Sequence, residues 1–230
     1  MTEQEIQEYH REGYIVLRDL VRGEIIDEVL AASPAEYKRG GNWTPRVFNH
    51  DEPTTDWAIH QLLIEPAVVD AVEAIFESAT RVYYGLVAVV PAGKGRGLPW
   101  HQDNMYSNVA GRALNVFMAL CDIPPEKAGL WMAPRSHWVG LWPNHRAEEF
   151  GGHRESDIEP ENGIQLPAMH KGDVCIFDRF MLHRSLINET NEDRYAYAAQ
   201  YQEDKARVQE TGMKDPRKMR VAELRKLIEN

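Results

Sequence analysis

The sequence has little cysteine: Cys121 and Cys175 are the only two in 230 residues, each in apolar surroundings ("MALCDI", "DVCIFD"). That scarcity argues against a disulfide-stapled secreted scaffold. It reads as buried thiols in a reducing compartment, so the cytoplasm is the expected location. No stretch approaches the roughly 20 consecutive apolar residues of a membrane helix, and the acidic start "MTEQEIQEYH" lacks the apolar segment of a signal peptide. Lysine and arginine form no run and the formal net charge is −10, which argues against nucleic acid or an anionic membrane as partner. Internal repeats, low-complexity segments and a linker long enough to separate a second domain are also lacking. What is present, 43% apolar and 27% charged residues, is an ordinary globular composition. The chain is long enough for one domain over 1–230 that encloses a pocket, with a small molecule as the default partner.

Thr2 followed by Glu5 has the pattern of a capping box opening a helix that Gly13 ends. "YIVLRDL" reads as a strand, and "GEIIDEVLAAS" places Ile25, Ile26, Val29 and Leu30 at helical spacing. "GGNWTPRVFNHDEPTTD" is a loop by its turn residues. A helix from about Asp56, interrupted near Pro66, resumes through "AVVDAVEAIFE" and closes a helical region over about 1–77. Over about 80–203 the character changes: "RVYYGLVAVVP", "RALNVFMALCDI", "GIQLPA", "GDVCIFD" and "RYAYAAQYQE" are short, rich in Val, Ile, Tyr and Phe, and separated by Gly, Pro or Asn. Strands in succession indicate a barrel or double-sheet jelly roll. Val221, Leu224 and Leu227 predict a last helix over about 215–229. The fold class is mainly β with flanking α.

"LPWHQDNMY" sets His101 and Asp103 two places apart, so they point the same way only on extended backbone. Iron(II) enzymes that activate oxygen often use two His and one carboxylate on one face of the ion, leaving positions open for cosubstrate and oxygen. His-x-Asp would supply two of these ligands; a solvated polar pair fits the same pattern. Nine histidines compete for the third place. His10, His50 and His60 lie in the helical region as surface or packing residues. His145 and His153 fall in a loop, and His170 precedes the turn "KGD". His183 differs, because it ends "GDVCIFDRFMLHRS", where an apolar strand passes into a turn, and Arg194 follows eleven residues later in "RYAYAAQY".

Taken together, "TEQEIQEYHREGYIVLRDLV", "LPWHQD", "AGLWMAPRSH" and "GDVCIFDRFMLHRSLINETNEDRYAYAAQY" resemble the phytanoyl-CoA dioxygenase family of non-haem iron(II), 2-oxoglutarate-dependent oxygenases. The resemblance spans nearly the whole chain. Its most specific feature is the order His-x-Asp, Pro-x-Ser-His, His-x-Ser, then Arg. It implies a double-stranded β-helix (jelly-roll, cupin-like) core, with Fe(II) held by His101, Asp103 and His183. It also implies 2-oxoglutarate as cosubstrate, its distal carboxylate on Arg194 and Ser185, and O2 as oxidant, with succinate and CO2 released. An Arg fork matches a carboxylate in two places; the alternative for Arg194 is a surface salt bridge with Glu192 or Asp193. In "ALNVFMAL" alternation puts Asn115 and Phe117 on one face. A buried Asn115 amide needs a partner, which cosubstrate could be, and Phe117 matches a family position that often holds an aromatic near 2-oxoglutarate. Tyr84 is a further candidate of this kind. His137 is structural in the family and is not counted as a ligand.

A carboxylate at position 103, where halogenases of this broad class carry a small residue, favours hydroxylation of a C–H bond, or a related desaturation, ring closure or dealkylation. "GGNWTPRVFN", "NMYSN" and "WVGLW" are the expected pocket walls, offering Trp43, Arg46, Met105, Tyr106, Trp138 and Trp142. Trp131 joins them, as does Arg135, a cation where the family usually has Gly, expected near the pocket mouth, where it either contacts substrate or points into solvent. The expected substrate is a small metabolite, an amino acid or a biosynthetic intermediate. Two rivals remain: a cupin-like metal enzyme that uses no 2-oxoglutarate, and a binding protein of the same fold that has lost catalysis.

Overall fold

The computed structural model describes residues 1–33, 57–93, 95–106, 108–214 and 219–228. At the N-terminus the Thr2 hydroxyl accepts the Glu5 N–H while the Glu5 carboxylate accepts the Thr2 N–H, and helix α1 (Glu3–Glu12) starts there. Gly13, at φ +86°, ends it in the left-handed conformation that glycine adopts without strain. Strand β1 (Tyr14–Leu17) and helix α2 (Gly23–Ala32) follow. Helix α3 (Trp57–His60) tightens into a 3-10 turn at Gln61–Ile64, and α4 (Pro66–Phe76) restarts with Pro66 in its first turn. Proline has no N–H to donate, so it breaks one helix and opens the next, as the interruption near Pro66 predicts.

The strands are β2 (Thr80–Val90), β3 (Val109–Ala110), β4 (Ala113–Ala119), β5 (Leu130–Met132), β6 (Asn144–Ala147), β7 (His153–Ser156), β8 (Ile164–Gln165), β9 (Val174–Asp178), β10 (His183–Ser185), β11 (Arg194–Glu203), β12 (Arg207–Val208) and β13 (Met219–Arg220), before the final helix α5 (Val221–Ile228). A six-stranded sheet runs β1-β9-β4-β11-β2-β13, and a three-stranded sheet runs β10-β5-β8. The pairs β6-β7 and β12-β3 stand apart from both. Every pairing among the described residues is antiparallel.

Strand β4 shows how this arrangement makes a pocket. Its seven residues are all buried, because its two faces meet different layers. Leu114, Val116 and Met118 pack with Ile26, Leu62, Phe76 and others from the helices. Phe117 and Ala119 pack with Leu130 and Met132 of β5 and with Met181. The helices therefore cover one side of the large sheet, while the small sheet covers the other and closes a jelly-roll interior over Asn115 and Phe117. The core is mainly β with flanking helices, as expected. No helix among the described residues is long and apolar enough to cross a membrane.

Candidate metal centre

Met181 and Leu182 are fully buried and draw the chain into the core just before β10. His183 is thereby turned inward, its ring 4.6 Å from that of Phe177. Directly opposite stands His101. The two backbones form a single antiparallel bridge in which each N–H donates to the other's carbonyl at 3.0 Å, and the imidazole centroids lie 4.1 Å apart. Gln102 is extended, at φ −116° and ψ 139°, so Asp103 projects to the same side as His101. The chain then turns into a 3-10 segment at Asp103–Met105. The extended backbone that the His-x-Asp spacing demands is thus one residue long, and the bridge to His183 fixes it. One ligand atom from each of His101, Asp103 and His183 falls within 4.8 Å of the others.

The protonation of the three side chains suits a divalent cation. His101 Nδ1 lies 2.8 Å from the Pro99 carbonyl, and His183 Nδ1 lies 3.0 Å from the Met181 carbonyl. A carbonyl can only accept, so each Nδ1 carries the proton and each Nε2 keeps its lone pair for the interior. Burial holds both imidazoles below their ordinary pKa, and for His101 the neighbouring His183 adds to the shift. They stay neutral, as metal ligation requires. Burial alone would raise the Asp103 carboxyl, but His183, His101, Arg179 and the Gln200 amide together bring it below its ordinary range. Gln200 Nε2 donates to Asp103 Oδ2 at 3.0 Å, and Gln200 Oε1 accepts from Arg179 at 3.3 Å. Arg179 also donates to the Asp103 carbonyl at 3.0 Å. With Oδ2 so held, Oδ1 faces His101 Nε2 at 3.7 Å. Two neutral nitrogens and one carboxylate oxygen form a donor set that fits Fe(II) and leaves positions free.

A cavity of about 380 Å³ opens from these residues. On its wall Arg194 is only 4% exposed. Its Nη1 donates to the Ala128 carbonyl at 3.0 Å, its guanidinium stands 5.4 Å over the Phe117 ring, and its Nε has no partner. Burial lowers its pKa to about 10, which leaves it a cation at neutral pH. The alternative partners are engaged elsewhere: Glu192 with Lys127 at 2.7 Å, and Asp193 with the Ala92 N–H at 2.8 Å and the Tyr195 hydroxyl at 3.2 Å. Asn115, also buried, has neither amide atom bonded. Ser185 Oγ accepts the Leu98 N–H at 3.3 Å, so its own O–H is free to donate. A buried cation and a buried amide left unsatisfied in one cavity are costly unless a ligand completes them; a small dicarboxylate fits.

Gly97 sets the position of Ser185. A Cβ at residue 97 would stand 2.0 Å from Ser185 Oγ and 2.6 Å from its carbonyl oxygen, too close for either to remain. With Ser185 on the distal carboxylate of 2-oxoglutarate, as the family resemblance implies, Gly97→Ala is expected to raise the KM for 2-oxoglutarate by about tenfold, the loss of one hydrogen bond to a charged group, while iron(II) affinity holds. Steady-state succinate assays and metal titration check both.

Residues 9–196 match the family described as phytanoyl-CoA dioxygenase (PhyH). The chain belongs to this family. It is an Fe(II)- and 2-oxoglutarate-dependent oxidative enzyme acting on a small metabolite. A curated relative, the ectoine dioxygenase of Bordetella bronchiseptica, is 24% identical over 82% of this chain and 71% of its own. Among solved structures, EvdO2 from Micromonospora carbonacea var. aurantiaca, complexed with 2-oxoglutarate, has a TM-score of 0.75 at 18% identity, covering 94% of this chain and 96% of that one. The epimerase SnoN, in complex with Fe3+, alpha-ketoglutarate and nogalamycin RO, has a TM-score of 0.72 at 19% identity, covering 90% and 85%. At such identities the two structures show a shared fold for this PhyH chain.

The cavity brings together His101, Asp103, His183, Arg194, Ser185, Asn115, Phe117 and, at its mouth, the half-exposed Tyr106. Tyr84 of β2 pairs with Gln200, and its side chain lies outside the described ones. Trp43, Arg46 and His50 lie outside the described residues. Of the other wall candidates, none lines the cavity. Met105 is buried in a small cluster with Trp100, Ala133 and Leu182; Trp131 stacks on Arg184 at 4.7 Å. Trp138 and Trp142 donate their indole N–H groups to the His10 and Ser136 carbonyls. Arg135 is corrected most clearly: it adopts the left-handed conformation of the family's usual glycine, at φ +69°, but its guanidinium grips Glu12 at 2.9 and 3.1 Å. That pair, joined by Arg11, draws the Glu12 carboxyl down to about 2. Arg135 ties the turn to α1 and does not reach the pocket mouth.

Several cavity residues escape a reading of the sequence alone. Gln200 shares a face of β11 with Arg194 by simple alternation, a readable signal. Arg96, Arg179 and Arg184 adjoin the His-x-Asp and the third His in sequence, but charge alone does not tell pocket from surface. His153, expected in a loop, begins β7 and faces the cavity, its Nδ1 3.1 Å from the Tyr106 hydroxyl.

Proposed function

We propose that His101, Asp103 and His183 hold the iron, that Arg194 and Ser185 bind the distal carboxylate of 2-oxoglutarate with Asn115 and Phe117 beside it, and that the enzyme hydroxylates a C–H bond of a small metabolite in the cytoplasm. The observation that carries this reading is Arg194: a buried guanidinium with no carboxylate partner among the described residues, in the same cavity as the triad. Bound together there, iron and 2-oxoglutarate would supply an oxidant strong enough to take hydrogen from an unactivated carbon, releasing succinate and CO2.

The chain's own residues would do the rest. Pro99 and Met181 fix the imidazole tautomers through their carbonyls. Gln200 and Arg179 hold Asp103 to one oxygen toward the ion, which leaves positions open for cosubstrate and oxygen. Arg194, stacked on Phe117 in a low-dielectric wall, orients the dicarboxylate with a fork that a point charge cannot replace. Leu130 and Phe177 line the same space and keep water from it. The free thiols Cys121 and Cys175 support the cytoplasmic setting.

Purified protein supplied with iron(II), 2-oxoglutarate and air tests the proposal. A panel of small metabolites should contain members that raise succinate formation above the uncoupled level, with a product heavier by one oxygen atom. Turnover of a panel member that needs no 2-oxoglutarate would favour a different metal enzyme.

A further inference from the structure

The cavity has an inverted charge balance. The whole chain carries a formal net charge of −10, yet among the described residues this cavity is lined by four arginines, Arg96, Arg179, Arg184 and Arg194, against one carboxylate, Asp103. Three of the four cations are already engaged. Arg194 is reserved for 2-oxoglutarate in the proposed reading. Arg179 is bonded to Gln200 and to the Asp103 carbonyl. Arg184 is clamped between Trp100 and Trp131, 4.6 and 4.7 Å from their rings, and pairs with Glu159 at 3.1 Å.

Arg96 is left over. It is exposed, its guanidinium stands 5.8 Å from the Phe150 ring centroid, and it forms no ion pair with any described residue. Its backbone is pinned by a bridge to Ile187, and Gly97 beside it is packed on Ser185, so the side chain stems from a fixed point. That point lies where the cavity meets an adjoining cleft of about 450 Å³, since Arg96, Gly97, Leu98, Arg184 and Ser185 line both. Beyond it the cleft turns acidic, with Glu149, Glu155 and Glu159 on its wall.

We propose that the substrate is an anion, carrying a carboxylate or a phosphate monoester that seats on Arg96 at the mouth and leaves the remainder of the molecule directed at the triad. This rests on the iron and 2-oxoglutarate reading above and adds the substrate class to it. The physical case is one of matched fields. A cation at the mouth of a cavity whose lining carries mostly one sign of charge raises the local concentration of an anion there. The three glutamates of the cleft repel the same anion, so it is held at the boundary instead of sliding outward. A neutral molecule of the same shape would gain neither effect.

The test uses the intact enzyme under anaerobic conditions with iron(II) and 2-oxoglutarate, following the visible band of that complex. Matched pairs are added: short-chain carboxylic acids and amino acids against their primary amides, and phosphate monoesters against their parent alcohols. The charged members are expected to perturb the band and, on admitting air, to raise succinate formation, while their neutral partners do neither. The carboxylate and phosphate arms decide which anion is native. Arg96→Gln should weaken the response to the charged members about tenfold or more, as expected for a lost charge-assisted contact, with 2-oxoglutarate affinity retained; Arg96→Lys should restore some of it. The inference is overturned if neutral partners act as well as the anions, if no anion acts, or if Arg96→Gln responds like wild type. Failure of the band to appear at all in wild-type protein would instead overturn the iron and 2-oxoglutarate reading.

Discussion

Asp103→Ala is expected to lower turnover by at least about 10³-fold, equivalent to about 4 kcal/mol of lost transition-state stabilisation, and to weaken iron(II) binding beyond easy measurement. Asp103 is the one carboxylate lining the cavity among the described residues, so two neutral imidazoles would be left to face a dication without a counter-charge. Because Asp103 is only partly buried, its loss should leave the fold intact, which far-UV circular dichroism would verify. The comparison variant is Gln200→Ala. It leaves all three ligands in place, frees the Asp103 Oδ2 oxygen from its 3.0 Å hydrogen bond and removes the 3.3 Å contact to Arg179. An outer partner of a ligand of this kind is worth about 10- to 100-fold in metal affinity. Anaerobic metal titration should therefore rank wild type first, Gln200→Ala second and Asp103→Ala last. Equal affinities for Asp103→Ala and wild type would exclude the carboxylate from the metal site.

Arg194→Ala carries the second large effect. Truncating one partner of a buried charge pair costs about 2–5 kcal/mol, so the KM for 2-oxoglutarate should rise by about 10²-fold or more while iron(II) affinity changes little. Arg194→Lys should recover only a fraction of the loss, because an ammonium cannot reproduce the two parallel bonds of the fork. Stability separates this role from a structural one. The guanidinium is buried with a single carbonyl partner and an unbonded Nε, so removing it relieves an uncompensated charge. The ligand-free variant should melt no lower than wild type, whereas the stabilisation that 2-oxoglutarate gives to wild type should vanish. An enzyme of the same fold that uses no 2-oxoglutarate would keep its turnover after this substitution.

Local rules of chain geometry make much of the site readable. The strand "RYAYAAQY" declares its alternation, and Arg194 at its start falls on the inner face together with Gln200. The capping box at Thr2 and Glu5 and the break at Pro66 are equally explicit. Most of the short strands are not, because two to four residues carry no period; β1 and β8 show only through their apolar, turn-bounded segments. Strand β10 exists because β5 offers Met132, Trp131 and Leu130 opposite His183, Arg184 and Ser185, a matter of tertiary pairing. The same holds for the hairpin β6-β7. Its residues are largely polar, "NHRA" and "HRES", so nothing local distinguishes them from a loop, and His153 reaches the cavity through its contact with Tyr106. Arg135 is only partly legible for a related reason. A cation in the place of the family's usual glycine can turn to substrate or to solvent, and only the fold reveals that Glu12 at the end of α1 lies within 2.9 Å to take it.

The most direct test of the central claim is an anaerobic absorption titration. Wild-type protein saturated with iron(II) should develop a visible charge-transfer band on addition of 2-oxoglutarate, saturating at one equivalent, absent in His183→Ala and shifted to far higher 2-oxoglutarate concentration in Arg194→Ala. Wild-type protein that stays colourless with both iron and cosubstrate in excess would contradict the account.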